Sequence, residues 1–138
     1  MEVAMRRLFT LVFAVGAGLS FGAAQAQSAF DNVISQQLDA FNDRDIVGAF
    51  DFASPMIKRI FGGPENFGIM VQRSFPMIWD NTSVRFLAKR EEGGAIFQRV
   101  LVIGKDGIAY MFDYKMIETP QGWQIDGVNF VPTPDVGA

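Results

Sequence analysis

The 138-residue chain contains no cysteine and no histidine. Without cysteine there is no disulfide, no thiol nucleophile and no lipid anchor on a cysteine, so an exported form must hold together by its core alone. Without histidine, Ser-His-Asp and Cys-His catalysis are excluded, as are ordinary zinc sites. Carboxylate-only sites for calcium or magnesium stay open in principle, but no EF-hand-like spacing is visible, and Asp43-Arg44-Asp45 reads as helix capping. No metal and no cofactor is therefore expected. An excess of positive charge is lacking too: 12 Lys and Arg stand against 15 Asp and Glu, a net charge of −3. Such a chain has no electrostatic attraction for nucleic acid or an anionic membrane.

A long membrane-spanning run is also missing. The apolar stretch that opens at Leu8 is too short and too rich in Gly and Ala for a good span. It follows Arg6-Arg7 and leads to Ala24-Gln25-Ala26, a small-residue cleavage site, which together read as a secretory signal peptide over residues 1–26. Met5, directly before the arginines, is an alternative start. Cleavage after Ala26 predicts an exported, periplasmic protein beginning at Gln27, with no membrane attachment afterwards. Residues 27–131 are then one domain, and residues 132–138, with Pro132 and Pro134, a flexible tail.

The segment Ala95–Phe130 organises that domain. It reads as three antiparallel strands, Ala95–Ile103, Ile108–Glu118 and Trp123–Phe130, joined by Gly104-Lys105-Asp106-Gly107 and Thr119-Pro120-Gln121-Gly122. Thr82–Lys89 is a fourth strand. Simple hairpins set Ile103 opposite Ile108 and Glu118 opposite Trp123, and the period of two then sorts the side chains. One face carries Val84, Phe86, Phe97, Leu101, Ile103, Ile108, Tyr110, Phe112, Tyr114, Met116, Trp123 and Ile125, with Arg99 and Asn129 as its polar members. This face is expected to meet the helices. The other mixes charges with Ile96, Val100, Val102, Met111, Ile117, Val128 and Phe130, too large an apolar group to leave wet, and predicts a homodimer through the outer sheet face.

Helices precede the sheet. Phe30, Val33, Ile34, Gln37, Leu38 and Phe41 recur at helical spacing, in a helix opened by Ser28-Ala29-Phe30-Asp31 and ending near Asn42. Asp43 or Asp45 caps a second helix, Ser54-Pro55 starts a third that Gly62-Gly63 stops, and Pro64 opens a fourth with Phe67, Met70, Val71 and Ser74 inward. Helices first and antiparallel strands after make an α+β fold, with the helices packed on one face of a curved sheet of about four strands.

This order of elements resembles the cystatin-like α+β cone of nuclear transport factor two, SnoaL-type cyclases and ketosteroid isomerase. Val33-Ile34-Ser35-Gln36-Gln37-Leu38-Asp39-Ala40-Phe41, Ala49-Phe50-Asp51-Phe52-Ala53-Ser54-Pro55, Gln98-Arg99-Val100-Leu101-Val102 and Gly122-Trp123-Gln124-Ile125-Asp126-Gly127-Val128 resemble, more closely, a family of small exported bacterial proteins catalogued as domain of unknown function 4864. The resemblance implies a pocket between helices and sheet but no assigned activity.

Within that expected pocket, Arg99 is the single charge on the apolar face, with Tyr110, Tyr114 and Asn129 pointing the same way. These four are the candidate ligand-binding residues: an arginine to anchor an anion, and Tyr and Asn to hydrogen-bond. The structural alternative is a buried ion pair of Arg99 with Asp39 or Asp43. Lys115 and Asp126 face each other and read as a cross-strand ion pair rather than an acid–base cluster. No carboxylate falls on the apolar face, so a catalytic one has to come from the first helix or from Asp80. The expectation is a non-enzymatic module binding a small apolar or acidic ligand. The alternatives are an isomerase, dehydratase or hydrolase of the ketosteroid-isomerase type, and a structural dimer acting on an envelope partner.

Overall fold

The computed structural model describes residues 29–132. The expected signal peptide, and all of the expected tail but Pro132, lie outside the described residues. The fold is α+β, with helices followed by a curved, open, four-stranded antiparallel sheet. Helix α1 covers residues 29–42 and buries Phe30, Ile34, Leu38 and Phe41, together with Gln37 from the same stripe. Helix α2, Ile46–Asp51, is capped by Asp45, whose Oδ1 accepts from Gly48 N at 3.0 Å. Helix α3, Pro55–Phe61, starts on Ser54 with Pro at its first position and stops at Gly62, whose left-handed φ of 76° favours glycine. Helix α4 is Pro64–Ser74, and a single turn, α5, runs from Pro76 to Trp79.

Strands β1 (Asn81–Glu92), β2 (Ala95–Gly104), β3 (Ala109–Thr119) and β4 (Gly122–Val131) lie side by side in chain order. The last hairpin has the expected register, with Glu118 opposite Trp123. The β2–β3 hairpin does not. Gly104 N donates to Ile108 O at 3.1 Å, and Ile103 stands opposite Ala109 instead of Ile108. A slip of one residue exchanges the two faces of a strand. Ile96, Gln98, Val100 and Val102 therefore join Tyr110, Phe112, Tyr114 and Met116 under the helices, while Phe97, Arg99, Leu101 and Ile103 turn outward. Packing supplies the reason for the longer turn. Gly104 is buried so closely beneath α5 that a Cβ there would meet Met77 at 3.1 Å. Asp106 Oδ1 closes the turn by accepting from Ile108 N at 3.0 Å.

A second correction falls on β4. The register shifts between Lys115 and Met116, where Gly127 and then Ile125 stand opposite and Asp126 is the extra residue of a bulge. Beyond it Val128 and Phe130 face the helices, Phe130 stacking on Phe75 with ring centres 5.5 Å apart, and Asn129 pairs with Asp113 on the outer side. The face expected to join two copies thus loses Ile96, Val100, Val102, Val128 and Phe130. It keeps Met111 and Ile117 and gains Phe97, Leu101 and Ile103.

The core lies between α1, α2, α4 and the inner sheet face, where Phe30, Ile34, Phe41, Val100, Val102 and Phe112 are all but closed to solvent. Helix α3 differs, since none of its residues is buried and Met56 and Ile60 face solvent. Its start is tied down instead. Ser54 N donates to Ile125 O at 2.8 Å, Ile125 N donates to Phe52 O at 2.8 Å, and Ser54 Oγ donates to Asp126 Oδ1 at 2.6 Å. The segment before α3 is thereby held to the free edge of β4, and α3 closes one side of the space beneath it.

Candidate functional site

That space is an apolar cavity of about 240 Å³ between the helices and the β4 side of the sheet. Phe41 and Gln37 reach it from α1, Ile57 and Phe61 from α3, Phe67, Met70 and Val71 from α4, and Phe75 from the turn before α5. Tyr114 of β3 and Ile125, Gly127, Val128 and Asn129 of β4 complete the wall. Helical spacing explains much of the convergence: Ile57 and Phe61 are four apart on α3, and Phe67 and Val71 four apart on α4, so each pair presents one face. Phe67 is the centre of an aromatic cluster, its ring 5.9 Å from Phe41, 5.4 Å from Phe50 and 5.7 Å from Phe61.

Two polar side chains in this wall matter chemically. Gln37 is buried, and its Nε2 donates to Ala49 O at 3.1 Å, joining α1 to α2. Tyr114 has 0% of its surface exposed, and its hydroxyl has no hydrogen-bond partner. Burial pushes that hydroxyl well above its ordinary range, so it stays protonated and remains a donor. No Asp, Glu, Lys or Arg is part of the wall among the described residues. The site can therefore hold an apolar body and donate one hydrogen bond. It offers no charge and no group with which to move a proton near neutral pH.

Of the four residues expected to form the site, only Tyr114 stands on the cavity's face of the sheet; Asn129 belongs to the wall but its register position, opposite Asp113, is on the outer face. Arg99 lies across the sheet, where Nε and Nη2 donate to Asp113 Oδ1 and Oδ2 at 3.1 and 3.2 Å. Arg90 Nη1 adds a bond to Asp113 Oδ2 at 3.0 Å, and its guanidinium lies 4.8 Å from the centre of the Phe97 ring. These cations hold the Asp113 carboxyl below the usual carboxylate range, Arg99 contributing most. Tyr110 shares the inner face with Tyr114 but sits two pleats away, where its hydroxyl donates to Asp106 Oδ2 at 3.0 Å. The carboxylates considered as partners of a pocket also lie elsewhere. Asp39 and Asp43 are exposed, and Asp80 pairs with Arg44, which stacks 4.4 Å from the Trp79 ring.

Lys115 and Asp126 do form an ion pair, 3.1 Å apart, and Asp126 also takes the Ser54 hydrogen bond. It thus joins α3 to the sheet. Sequence reasoning missed Phe61 and Phe75 as cavity residues. It did carry a signal for Gln37, a polar residue inside an otherwise apolar helical stripe. No group of three or more His, Cys, Asp or Glu suited to a metal ion occurs among the described residues. No helix among them is long and apolar enough to cross a membrane.

The family model described as Domain of unknown function (DUF4864) matches residues 23–138. No curated protein and no solved structure matches the chain.

Proposed function

The chain belongs to the family of the domain of unknown function DUF4864, a family that brings no activity with it, and from its cavity we propose that it is an exported module that binds a small apolar ligand between helices and sheet. The observation that carries the proposal is the aromatic cavity of about 240 Å³ with no charged side chain in its wall. Protein interiors are packed with few voids larger than a water molecule, so an open apolar space of this size is a departure that a ligand explains. A cavity of about 150 Å³ suffices for benzene in another protein, so this one accommodates a bicyclic body. The layering of helices over the inner face of a curved sheet also supports the cystatin-like cone reading, in which the pocket has this place.

Binding is favoured over catalysis of the ketosteroid-isomerase type by the same wall. That chemistry needs a carboxylate at the substrate, and none of the acidic residues described is part of the cavity wall. An acidic ligand loses its support as well, because the arginine that would anchor it faces away from the cavity. The proposal of a dimer through the outer sheet face now rests on Phe97, Leu101, Ile103, Met111 and Ile117, around a charged centre of Arg90, Arg99 and Asp113. Export rests on Arg6-Arg7, the apolar run and Ala24-Gln25-Ala26.

The test has two arms. Intact-mass analysis of secreted material is expected to show loss of residues 1–26, and a membrane-retained full-length chain overturns export. Fluorescence titration with 1-aminonaphthalene is expected to show saturable binding of one equivalent. Binding is lost in Val71→Trp, which fills the cavity while the variant keeps its circular dichroism. Absence of saturable binding to the wild type overturns the cavity reading.

A further inference from the structure

Tyr114 is the point at which this cavity departs from a plain hydrophobic hole. Its position is set by the sheet: it lies opposite Gln98 on one side and Val128 on the other, on the face that the helices cover. The amide nitrogens of the two polar neighbours on that side are already committed. Gln98 Nε2 donates to Leu87 O at 2.8 Å and to Arg99 O at 3.0 Å, filling the β1 bulge, and Gln37 Nε2 is bound to Ala49 O. The Tyr114 hydroxyl is left buried without a partner.

A buried polar group that makes no hydrogen bond loses its hydration with nothing to compensate for it. A phenylalanine at the same place would pack the same ring without that cost. The hydroxyl therefore needs a partner to offset its burial, and the space its side chain lines is the cavity. A donor in a dry apolar wall discriminates sharply, because an acceptor brought to it forms a bond that water does not screen. A charged acceptor is a different matter. The wall contains no cation to compensate it, and an ion taken from water into such a site carries a desolvation penalty that one neutral donor does not repay.

Building on the proposed ligand-binding role, we infer that the cavity selects an uncharged compact molecule carrying one hydrogen-bond acceptor, such as a cyclic ketone, ester or ether, and that the Tyr114 hydroxyl donates to that acceptor. Size and polarity are then read by separate parts of the wall: the phenylalanines of α1, α3 and α4 take the hydrocarbon body, and Tyr114 reads the oxygen. The residue acts in binding and in specificity.

The experiment compares three probes of one shape, indane, 1-indanone and indane-1-carboxylate, by calorimetric titration of wild type and Tyr114→Phe. Urea unfolding of both proteins establishes that the variant is folded. Wild type is expected to bind 1-indanone, with indane-1-carboxylate at least tenfold weaker. In Tyr114→Phe the affinity for 1-indanone is expected to fall about tenfold while that for indane stays within twofold. Equal changes for indane and 1-indanone, or carboxylate binding as tight as that of the ketone, overturn the assignment to Tyr114 while leaving the cavity a binding site. Binding of none of the three to wild type overturns the cavity reading and this inference together.

Discussion

Arg99 grips Asp113 with two hydrogen bonds, Nε to Oδ1 at 3.1 Å and Nη2 to Oδ2 at 3.2 Å, across neighbouring strands on the outer face of the sheet. The carboxylate is buried while the arginine side chain is 36% exposed, so the two partners respond differently to removal. Arg99→Met leaves a buried charge with Arg90 as its remaining partner. The expected cost, reduced for solvent screening, is on the order of 1–2 kcal/mol in urea unfolding. Combining it with Asp113→Leu is expected to recover part of the loss, because charge and partner disappear together. Full additivity of the two changes would mean that the pair is not coupled. Neither variant is expected to alter 1-aminonaphthalene binding, since both residues lie across the sheet from the cavity.

The same pair sets a pH dependence. Asp113 is held below the ordinary carboxylate value, chiefly by its bonds to Arg99 and then to Arg90. A carboxylate whose folded pKa is depressed stabilises the fold above its unfolded pKa, about 3.9. That contribution disappears as the pH falls from there through the folded value. Asp113→Asn is therefore expected to be less stable than wild type at pH 7, with the gap narrowing below about pH 4. Urea midpoints measured from pH 7 to pH 2.5 check this, and a gap independent of pH would remove Asp113 as its source.

Tyr114→Phe carries an expectation opposite in sign to that of most core substitutions. The variant loses a hydroxyl with no partner and keeps the ring, so ligand-free protein is expected to be as stable as wild type or more stable by up to about 1 kcal/mol. Denaturant unfolding in the absence of any probe measures it. A loss above that size would show that the hydroxyl already has a partner in solution.

Ser54 joins helix to sheet through two bonds of one oxygen: it accepts from Ile57 N at 3.3 Å, as the cap of α3, and donates to Asp126 Oδ1 at 2.6 Å. Ser54→Ala removes both and leaves Asp126 with Lys115. A stability loss of about 1–3 kcal/mol is expected. Because α3 buries no residue of its own, the loosening should be local. Hydrogen exchange is expected to accelerate in residues 55–61 more than in α4, and uniform acceleration would contradict this role.

The local features of this fold were legible in the sequence because each depends on a few neighbouring residues. Asp45, Ser54, Pro55 and Gly62 act within one helical turn, so their type alone marks where helices begin and end. Thr119-Pro120-Gln121-Gly122 sets its hairpin register for the same reason. The α+β class follows from the order of these elements, and family membership from the residue pattern along the chain.

What only the tertiary structure decided was which way β2 faces, and with it the site. Residues 95–103 are apolar at odd and even positions alike, so alternation cannot choose between Phe97, Leu101 and Ile103 on one side and Ile96, Val100 and Val102 on the other. The choice falls to contacts distant in sequence. Met77 packs tightly against Gly104, Gln98 satisfies the open carbonyl of Leu87, and Asp113 awaits Arg99 on the neighbouring strand. Likewise Asp126 bulges where Ser54 and Lys115 hold it, which turns Asn129 outward and Val128 inward. A period of two amplifies each one-residue shift into a change of face. Arg99 thereby became a structural residue of the outer surface, while Tyr114, whose face was read correctly although its partners on both neighbouring strands differ from the expected register, kept its place at the cavity.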